Sequence, residues 1–293
     1  MVLPELEYLI PSTIEEASNL LVELGSGARV MAGGTDIVPP MKDGALKADY
    51  LIDLTHIPEL EYLEYDEEEG LKIGCLTKLF DLQTSKLVLE KNPSIAAAAK
   101  YVASTQIRNK GTMVGNICNA SPSCDTGPIL IAQNAKILIH GPEKTREVAA
   151  GDFFTGIKRT CLEPGEIVTG IVVPPLAENE HAAYIKHSVR KALDLAIVGV
   201  AAWVKMNGNI CEDCRIALGA VATTPIRAYD AEQMLIGKEL TDELLNEAGI
   251  AAMRMSRPID DVRASAAYRK DMVRVFVKRS IKKALEGGEE ETS

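Results

Sequence analysis

The sequence lacks an excess of basic residues. Lys and Arg total 32 against 42 Asp and Glu, which gives a formal net charge of −10 at pH 7. Nucleic acids and anionic membrane surfaces attract basic patches, so a chain with this charge balance is a poor partner for either. We therefore expect no nucleic-acid partner.

Long apolar segments are also missing. The longest apolar run covers residues 195–204, and a helix needs roughly 20 apolar residues to cross a bilayer. The first residues, MVLPELEY, lack the basic and apolar regions of a signal peptide. We expect a cytoplasmic protein with no membrane span. Its 293 residues, 46% of them hydrophobic, suffice for a sizeable core and for more than one domain.

Two common nucleotide-binding motifs are absent. The Gly-Ser-Gly segment at 25–27 lacks the third glycine of G-x-G-x-x-G and precedes a predicted strand rather than a helix. No Walker-type G-x-x-x-x-G-K-[ST] occurs either. A Rossmann or Walker-type site is therefore excluded.

The six cysteines are too few for a disulfide framework in a chain of this length. Cys211 and Cys214 have metal-type spacing, and Cys118 and Cys124 lie in a loop-like segment, so a four-thiolate zinc or iron–sulfur site is one hypothesis. The pairs are far apart in sequence, and there is no second C-x-x-C. We favour reduced thiols and no metal site.

Two loop-like segments are rich in small residues. Residues 103–131 follow a helix-like run and contain too many glycine, asparagine and serine residues for a packed element, which predicts a long ordered loop that binds a ligand. Residues 30–37 include Gly33 and Gly34, which could merely form a tight turn or could present backbone N–H groups to a phosphate. Residues 32–36 and 112–116 together could hold a pyrophosphate from both sides.

Several segments resemble one known family and occur in the order expected for it. They are AGGTDI at 32–37, IRNKGTMVGN at 107–116, Asp125, LEPGEIV at 162–168, IALGAVATTPIRA at 216–228 and PIDDVR at 258–263. In these segments the chain resembles the FAD-binding medium subunit of molybdenum hydroxylases, the group of carbon monoxide dehydrogenase, xanthine dehydrogenase and nicotinate dehydrogenase. The resemblance covers nearly the whole chain.

The resemblance implies a FAD site built from both glycine-rich loops. The implied cofactor-binding residues are Val30, Met31, Ala32, Gly33, Gly34, Thr35, Asp36, Ile37, Thr112, Met113, Val114, Gly115, Asn116, Asp125, Val168 and Lys186. Asp125 would accept a hydrogen bond from the ribose or ribityl part of FAD, or would instead cap a helix that starts beside it. Lys186 near the flavin would stabilise the anionic reduced form, although a strand lysine usually faces solvent and a strand valine such as Val168 is usually core. We predict no catalytic residue in this chain.

The resemblance also implies an α+β fold. It has a FAD-binding domain of the vanillyl-alcohol oxidase/PCMH type, with two α/β subdomains at 1–56 and 57–176, and a C-terminal domain at 177–293. We expect a three-stranded antiparallel sheet and helices in the last. Periodicity and turn signals predict helices near 13–24, 78–89, 95–102, 125–134, 228–235, 242–255 and 264–285, and strands near 28–32, 50–54, 60–65, 71–76, 135–140, 166–173, 181–189, 196–206 and 210–221.

By the same resemblance, the chain is one subunit of a larger enzyme. Partners would be a large subunit with the molybdenum cofactor and a small subunit with [2Fe–2S] clusters, and electrons would pass from the clusters through FAD to NAD⁺ or another acceptor. A stand-alone FAD oxidoreductase is an alternative. So is a flavin-free scaffold, because Val114 stands where most relatives have glycine and would be strained at positive φ.

Overall fold

A computed structural model describes residues 5–190 and 193–287. The helices are α1 Ile14–Leu24, α2 Val38–Lys42, α3 Leu79–Thr84, α4 Lys86–Lys91, α5 Pro93–Tyr101, α6 Thr105–Arg108, α7 Met113–Cys118, α8 Gly127–Ala132, α9 Ala150–Phe153, α10 Tyr229–Leu235, α11 Asp242–Met255 and α12 Ala266–Leu285. The strands are β1 Glu7–Leu9, β2 Ala28–Met31, β3 Tyr50–Asp53, β4 Leu63–Asp66, β5 Gly70–Gly74, β6 Lys136–His140, β7 Thr145–Ala149, β8 Phe154–Gly156, β9 Arg159–Thr160, β10 Ile167–Val173, β11 Glu180–His187, β12 Val198–Asn207, β13 Ile210–Gly219 and β14 Ile226–Arg227. None of the helices within these two ranges has the length and apolar character to cross a membrane.

The first sheet is small and parallel, in the order β1-β3-β2. Helix α1 leads from β1 to β2 and begins after Thr13, whose hydroxyl accepts a hydrogen bond from the N–H of Glu16 at 3.2 Å. Strand β2 ends at Met31, and the glycine-rich loop follows at once. The sheet thus places that loop at the carboxyl end of a strand, a common position for ligand sites in parallel sheets.

The second sheet is antiparallel, in the order β4-β5-β10-β6-β7. Helices α3 to α8 lie between β5 and β6 in sequence, so the whole second glycine-rich segment is one long crossover. A separate hairpin, β8–β9, lies between β7 and β10. The first two sheets and these helices share one hydrophobic core.

The third sheet is antiparallel, in the order β11-β12-β13-β14. Its fourth strand, β14, extends the predicted three-stranded sheet and has only two residues, too few for a period-2 pattern to show in the sequence. Alternate residues of the sheet face different cores. Ala182, Tyr184, Ala201, Trp203 and Ala217 join the first core, whereas their strand neighbours pack against α11 and α12 in a second core.

The α+β class is confirmed, with local differences. The predicted helix 78–89 is broken at Ser85 into α3 and α4. The predicted loop 103–131 contains α6 and α7, which are too short to show helical periodicity, and its end overlaps α8, the helix predicted near 125–134. The three larger sheets fall within the predicted ranges 1–56, 57–176 and 177–293, whose bounds stay predictions. Residues 1–4, 191–192 and 288–293 of those ranges lie outside the described residues.

Candidate functional site

A cleft of ≈ 860 Å³ opens where the two glycine-rich loops meet, a size typical of cofactor sites. Its walls come from the loop after β2, the α6–α8 segment, the tip of the β8–β9 hairpin and residues 193–195. Apolar side chains such as Leu79, Val102 and Ile107 line part of it. The polar part includes the backbone of the glycine-rich loops, hydroxyl groups such as that of Thr35, and charged side chains such as those of Asp125 and Lys158.

The two loops touch at Gly33. A Cβ atom added there would lie 1.9 Å from the carbonyl oxygen of Lys110 and 2.9 Å from the Cα of Gly111, so no side chain fits between them. Gly34 has φ +70°, a left-handed conformation that favours glycine. Both glycines are therefore required by the geometry, one for space and one for conformation.

The first loop presents free donors to the cleft. Within the described part of the chain, the backbone N–H groups of residues 33–36 have no hydrogen-bond acceptor, while the carbonyl of Gly34 accepts from Ile37 and Val38. Successive unpaired N–H groups in a turn form a concave site for an anion. Asp36 lies at the exposed rim, where desolvation raises the pKa of its carboxyl group and the charge of Lys158 opposes that shift.

The second loop is capped and braced. Thr112 is the N-cap of α7, and its hydroxyl accepts from the N–H of Gly115 at 2.9 Å. The Asn116 side-chain oxygen accepts from the Thr126 hydroxyl at 2.7 Å and from the Cys124 thiol at 3.0 Å. Asn116 thus braces α7 against the start of α8, and its amide NH₂ remains available to a ligand.

Val114 is not strained. It is the second residue of α7, it is absent from the residues with positive φ, and its side chain is buried. The chain therefore accommodates a valine here by starting a helix at this position, which requires negative φ. The flavin-free alternative loses the argument on which it rested.

Asp125 does not cap a helix, since Thr126 occupies the N-cap position of α8 and Asp125 precedes it. One carboxylate oxygen of Asp125 accepts from the Tyr184 hydroxyl at 2.9 Å, and the other accepts from Nζ of Lys186 at 2.8 Å. Burial raises the pKa of Asp125, and the charge of Lys186 opposes that shift. Burial and the nearby carboxylate raise the pKa of Tyr184 well above its ordinary value.

Lys186 does not face solvent, because its side chain is only 4% exposed. Besides the ion pair with Asp125, its ammonium donates to the carbonyl of Tyr101 at 3.1 Å. The pair joins the α7–α8 segment to β11. It therefore spans the contact between the third sheet and residues 5–176, which we call the FAD-type part of the chain. Lys186 lies behind Asp125 and does not line the cleft.

Most residues implied by the resemblance do line the cleft. They are Val30, Ala32, Gly33, Gly34, Thr35, Asp36, Ile37, Thr112, Gly115, Asn116 and Asp125. The remainder are Met31, Met113, Val114, Val168 and Lys186, which do not line the cleft. Val168 is a core residue of β10 that pairs with Ile139 of β6.

Sequence reasoning missed several lining residues. Arg29 and Lys158 are the basic residues at the cleft, and Asn119, Asp194 and Leu195 add to its walls. Lys158 lies in a turn between two very short strands, where neither periodicity nor a motif draws attention to it. No sequence signal could have identified it.

The four-thiolate hypothesis is not supported by the arrangement. Cys118 and Cys124 belong to the first core, and Cys211 and Cys214 belong to the second. Across residues 5–190 and 193–287, no group of three or more His, Cys, Asp or Glu side chains is placed to hold a metal ion.

Comparison with known proteins agrees with this geometry. Residues 4–176 match the family described as FAD binding domain in molybdopterin dehydrogenase, and residues 183–284 match the CO dehydrogenase flavoprotein C-terminal domain. The carbon monoxide dehydrogenase medium chain of Hydrogenophaga pseudoflava is 37% identical, over 97% of this chain and 98% of that protein. The glyceraldehyde dehydrogenase medium chain of Sulfolobus acidocaldarius is 35% identical, over 95% and 98%.

A solved structure is equally similar. Carbon monoxide dehydrogenase from Hydrogenophaga pseudoflava, in a form that lacks the Mo-pyranopterin moiety of its cofactor, superposes with a TM-score of 0.94 over 98% of this chain and 99% of that one. The two family matches together span most of the chain in the order that the sequence resemblance predicted. The predicted family is thus confirmed, and the chain belongs to the flavoprotein family that joins the FAD-binding domain of molybdopterin dehydrogenases to the CO dehydrogenase flavoprotein C-terminal domain, the FAD subunits of molybdenum hydroxylases.

Proposed function

We propose that this chain is the electron-transfer subunit of a multi-subunit molybdenum hydroxylase in the cytoplasm. Electrons would originate at the molybdenum cofactor in a large subunit and would pass to [2Fe–2S] clusters in a small subunit. This chain would receive the electrons from those clusters through FAD and would deliver them to an external acceptor, NAD⁺ or another. The printed names of the relatives, medium chains of dehydrogenases, support a role as one subunit among several.

The observation that carries the proposal is the pair of loops joined at Gly33. The unpaired N–H groups of residues 33–36 and the hydroxyls of Thr35 and Thr112 lie at one cleft. Neutral donors that converge without side chains between them suit a pyrophosphate, the central group of FAD. The donor set therefore fits the cofactor that the family implies.

Asp125 would orient the sugar part of FAD. A carboxylate has about four acceptor positions, and Asp125 uses two of them for Tyr184 and Lys186. It can therefore accept a further hydrogen bond from a hydroxyl group in the cleft. Lys186, although it does not reach the cleft itself, would hold that carboxylate ionised and in place.

The remaining implied residues would support the site from behind. Met113 and Val114 are buried beneath the second loop, and Val168 is buried in β10. The sulfur of Met31 would be 3.1 Å from a Cβ atom at Gly34, so it packs under the first loop. Bound FAD would supply a centre that accepts electrons singly and delivers them singly or in pairs.

The first test is the cofactor content of the purified chain. We expect one FAD per chain in the supernatant after denaturation, with neither iron nor molybdenum. Flavin that stays absent even after incubation of the folded chain with FAD would contradict the proposal.

A second measurement addresses the subunit role: co-expression with candidate large and small subunits should yield one complex that contains FAD, iron and molybdenum. Flavin reduction by an organic substrate with the chain alone would instead favour the stand-alone oxidoreductase.

A further inference from the structure

Lys158 lies at the tip of the β8–β9 hairpin and forms part of the cleft wall. Its φ is +56°, in the left-handed region that usually costs a non-glycine residue about 1 kcal/mol. Glycine or asparagine would adopt this conformation more easily. A lysine at such a position points to a use for its side chain.

The hairpin holds Lys158 in a defined place. The backbone N–H of Lys158 donates to the carbonyl of Ala120 at 2.9 Å, just beyond α7. At the base of the hairpin, Phe153 and Phe154 are buried, and the ring of Phe154 lies against the start of α8, 3.2 Å from a Cβ atom added at Gly127. Both ends of the hairpin are thus anchored to the segment that carries the second loop.

The ammonium of Lys158 lies between the two loops. It donates to the side-chain oxygen of Asn119, which follows α7, and its charge acts on Asp36 of the first loop. In the described residues Lys158 forms no ion pair, so an ammonium with three donors has only one protein acceptor. Arg29, the other basic residue of the lining, donates to the carbonyls of Ser26 and Ala28.

We propose that Lys158 is a binding residue for the pyrophosphate of FAD and supplies the cation that the two glycine-rich loops lack. This inference rests on the proposed function. The donors of residues 32–36 and 112–116 are all neutral, namely backbone N–H groups, hydroxyl groups and the amide of Asn116. The pyrophosphate carries two negative charges, and Asp36 adds a third nearby. An ammonium held between both loops balances that charge and links them across the ligand.

The test compares two neighbouring charge removals in the full-length chain. Lys158→Gln should weaken FAD binding about tenfold. This factor corresponds to the low end of the energies for hydrogen bonds to charged groups, because the lysine is exposed and solvent screens its charge. It should also reduce the dependence of the dissociation constant on salt. Arg159→Gln removes the same charge from the adjacent exposed residue, which does not line the cleft, and should leave both quantities unchanged. Lys158→Arg should restore most of the affinity.

Two further probes identify the part of FAD that Lys158 contacts. The affinity for ADP should fall by the same factor as the affinity for FAD in Lys158→Gln. Riboflavin, which lacks phosphate, should bind the unmodified chain and Lys158→Gln with equal affinity. An equal loss for riboflavin, or an FAD affinity and salt dependence equal to those of Arg159→Gln, overturns this inference. Failure of the unmodified chain to bind FAD contradicts the proposed function itself, so the two failures are distinguishable.

Discussion

At the scale of single residues, Gly33 decides whether the loops can meet. Its φ is outside the left-handed region, so what it contributes is space. Gly33→Ala would place a Cβ atom 1.9 Å from the carbonyl oxygen of Lys110, and backbone must move to relieve the contact. We expect a loss of about 1–3 kcal/mol in the free energy of unfolding and at least a tenfold weaker affinity for FAD, about 1.4 kcal/mol, measured by denaturant unfolding and by flavin titration.

The matched control is Gly151→Ala in α9, where an added Cβ has no neighbour within 4 Å. Alanine is the better helix former, so this variant should be as stable as the original chain or slightly more so. Both variants add one methyl group. Equal FAD affinity in the two would show that the contact at Gly33 does not control the cleft.

The residue scale also shows where sequence reasoning ended. The two glycine-rich loops, which line the cleft, could be singled out from the sequence because they are local patterns of small residues. The ion pair of Asp125 with Lys186 could not, because its partners are separated by 61 residues and meet only when β11 packs against α5 and α8. Lys158 was missed for the same reason, since its position at the cleft depends on the tertiary contacts of the β8–β9 hairpin.

At the scale of elements, the turn before β10 is held by a partly buried ion pair. Arg146 of β7 donates to both carboxylate oxygens of Glu166, at 2.6 and 2.7 Å, and the N–H of Glu163 donates to one of them. The carbonyl of Gly165 accepts from Ser18 of α1 at 2.7 Å. The LEPGEIV segment thus ties the second sheet to the first helix and lies outside the cleft lining.

Stability should depend on the ionisation of Glu166. The hydrogen bonds from Arg146 hold the pKa of Glu166 below its ordinary value of 4.5, against a smaller effect of burial. A lowered pKa in the folded state means that the stabilisation is present above pH 4.5 and is lost as pH falls through the folded value. Glu166→Gln should therefore lower the free energy of unfolding by about 1–3 kcal/mol at pH 7, with a difference that shrinks below pH 4.5.

The control for this pH profile is Glu147→Gln on the same strand as Arg146. Glu147 pairs with Lys136 at 2.9 Å, and both side chains are more than half exposed. Surface pairs of this kind contribute little, so a change within about 0.5 kcal/mol is expected at every pH. A Glu166→Gln difference that stays constant from pH 7 to pH 3 would show that the carboxylate charge is not what stabilises the turn.

Elements were predictable where their periodic pattern was long. Helix α11 was predicted with the bounds that it has, Asp242–Met255, because an N-cap threonine and an apolar stripe mark it. The short strands β1, β8, β9 and β14 were missed, since two or three residues carry no period. The edge strand β7 was missed as well, because Val148 is its one large apolar residue. The hairpin that carries Lys158 is one of these, so the failure to predict an element became a failure to predict part of the site.

At the scale of the whole molecule, the third sheet joins two cores. One face contributes Tyr184 and Trp203 to the core shared by the first two sheets, and the other packs on α11 and α12. A strand that is buried on both faces has an almost continuous apolar run, as in residues 195–204. Strand type was therefore predictable, but the partner of each face was not.

The Asp125–Lys186 pair lies where this sheet meets the FAD-type part of the chain, with side chains 7% and 4% exposed. Removal of either partner leaves a buried charge unpaired, so Asp125→Asn and Lys186→Met should each cost about 3–5 kcal/mol of unfolding free energy. The double variant should cost clearly less than the sum of the two, since it leaves no unpaired charge. The free energies of unfolding of all three variants can be measured without FAD from the fluorescence of Trp203, which is the single tryptophan and a buried residue of this contact.

The control is the same double-mutant cycle at the exposed pair Lys136–Glu147, where we expect a coupling energy below about 1 kcal/mol. Strict additivity at Asp125 and Lys186 would show that they stabilise the two parts of the chain independently.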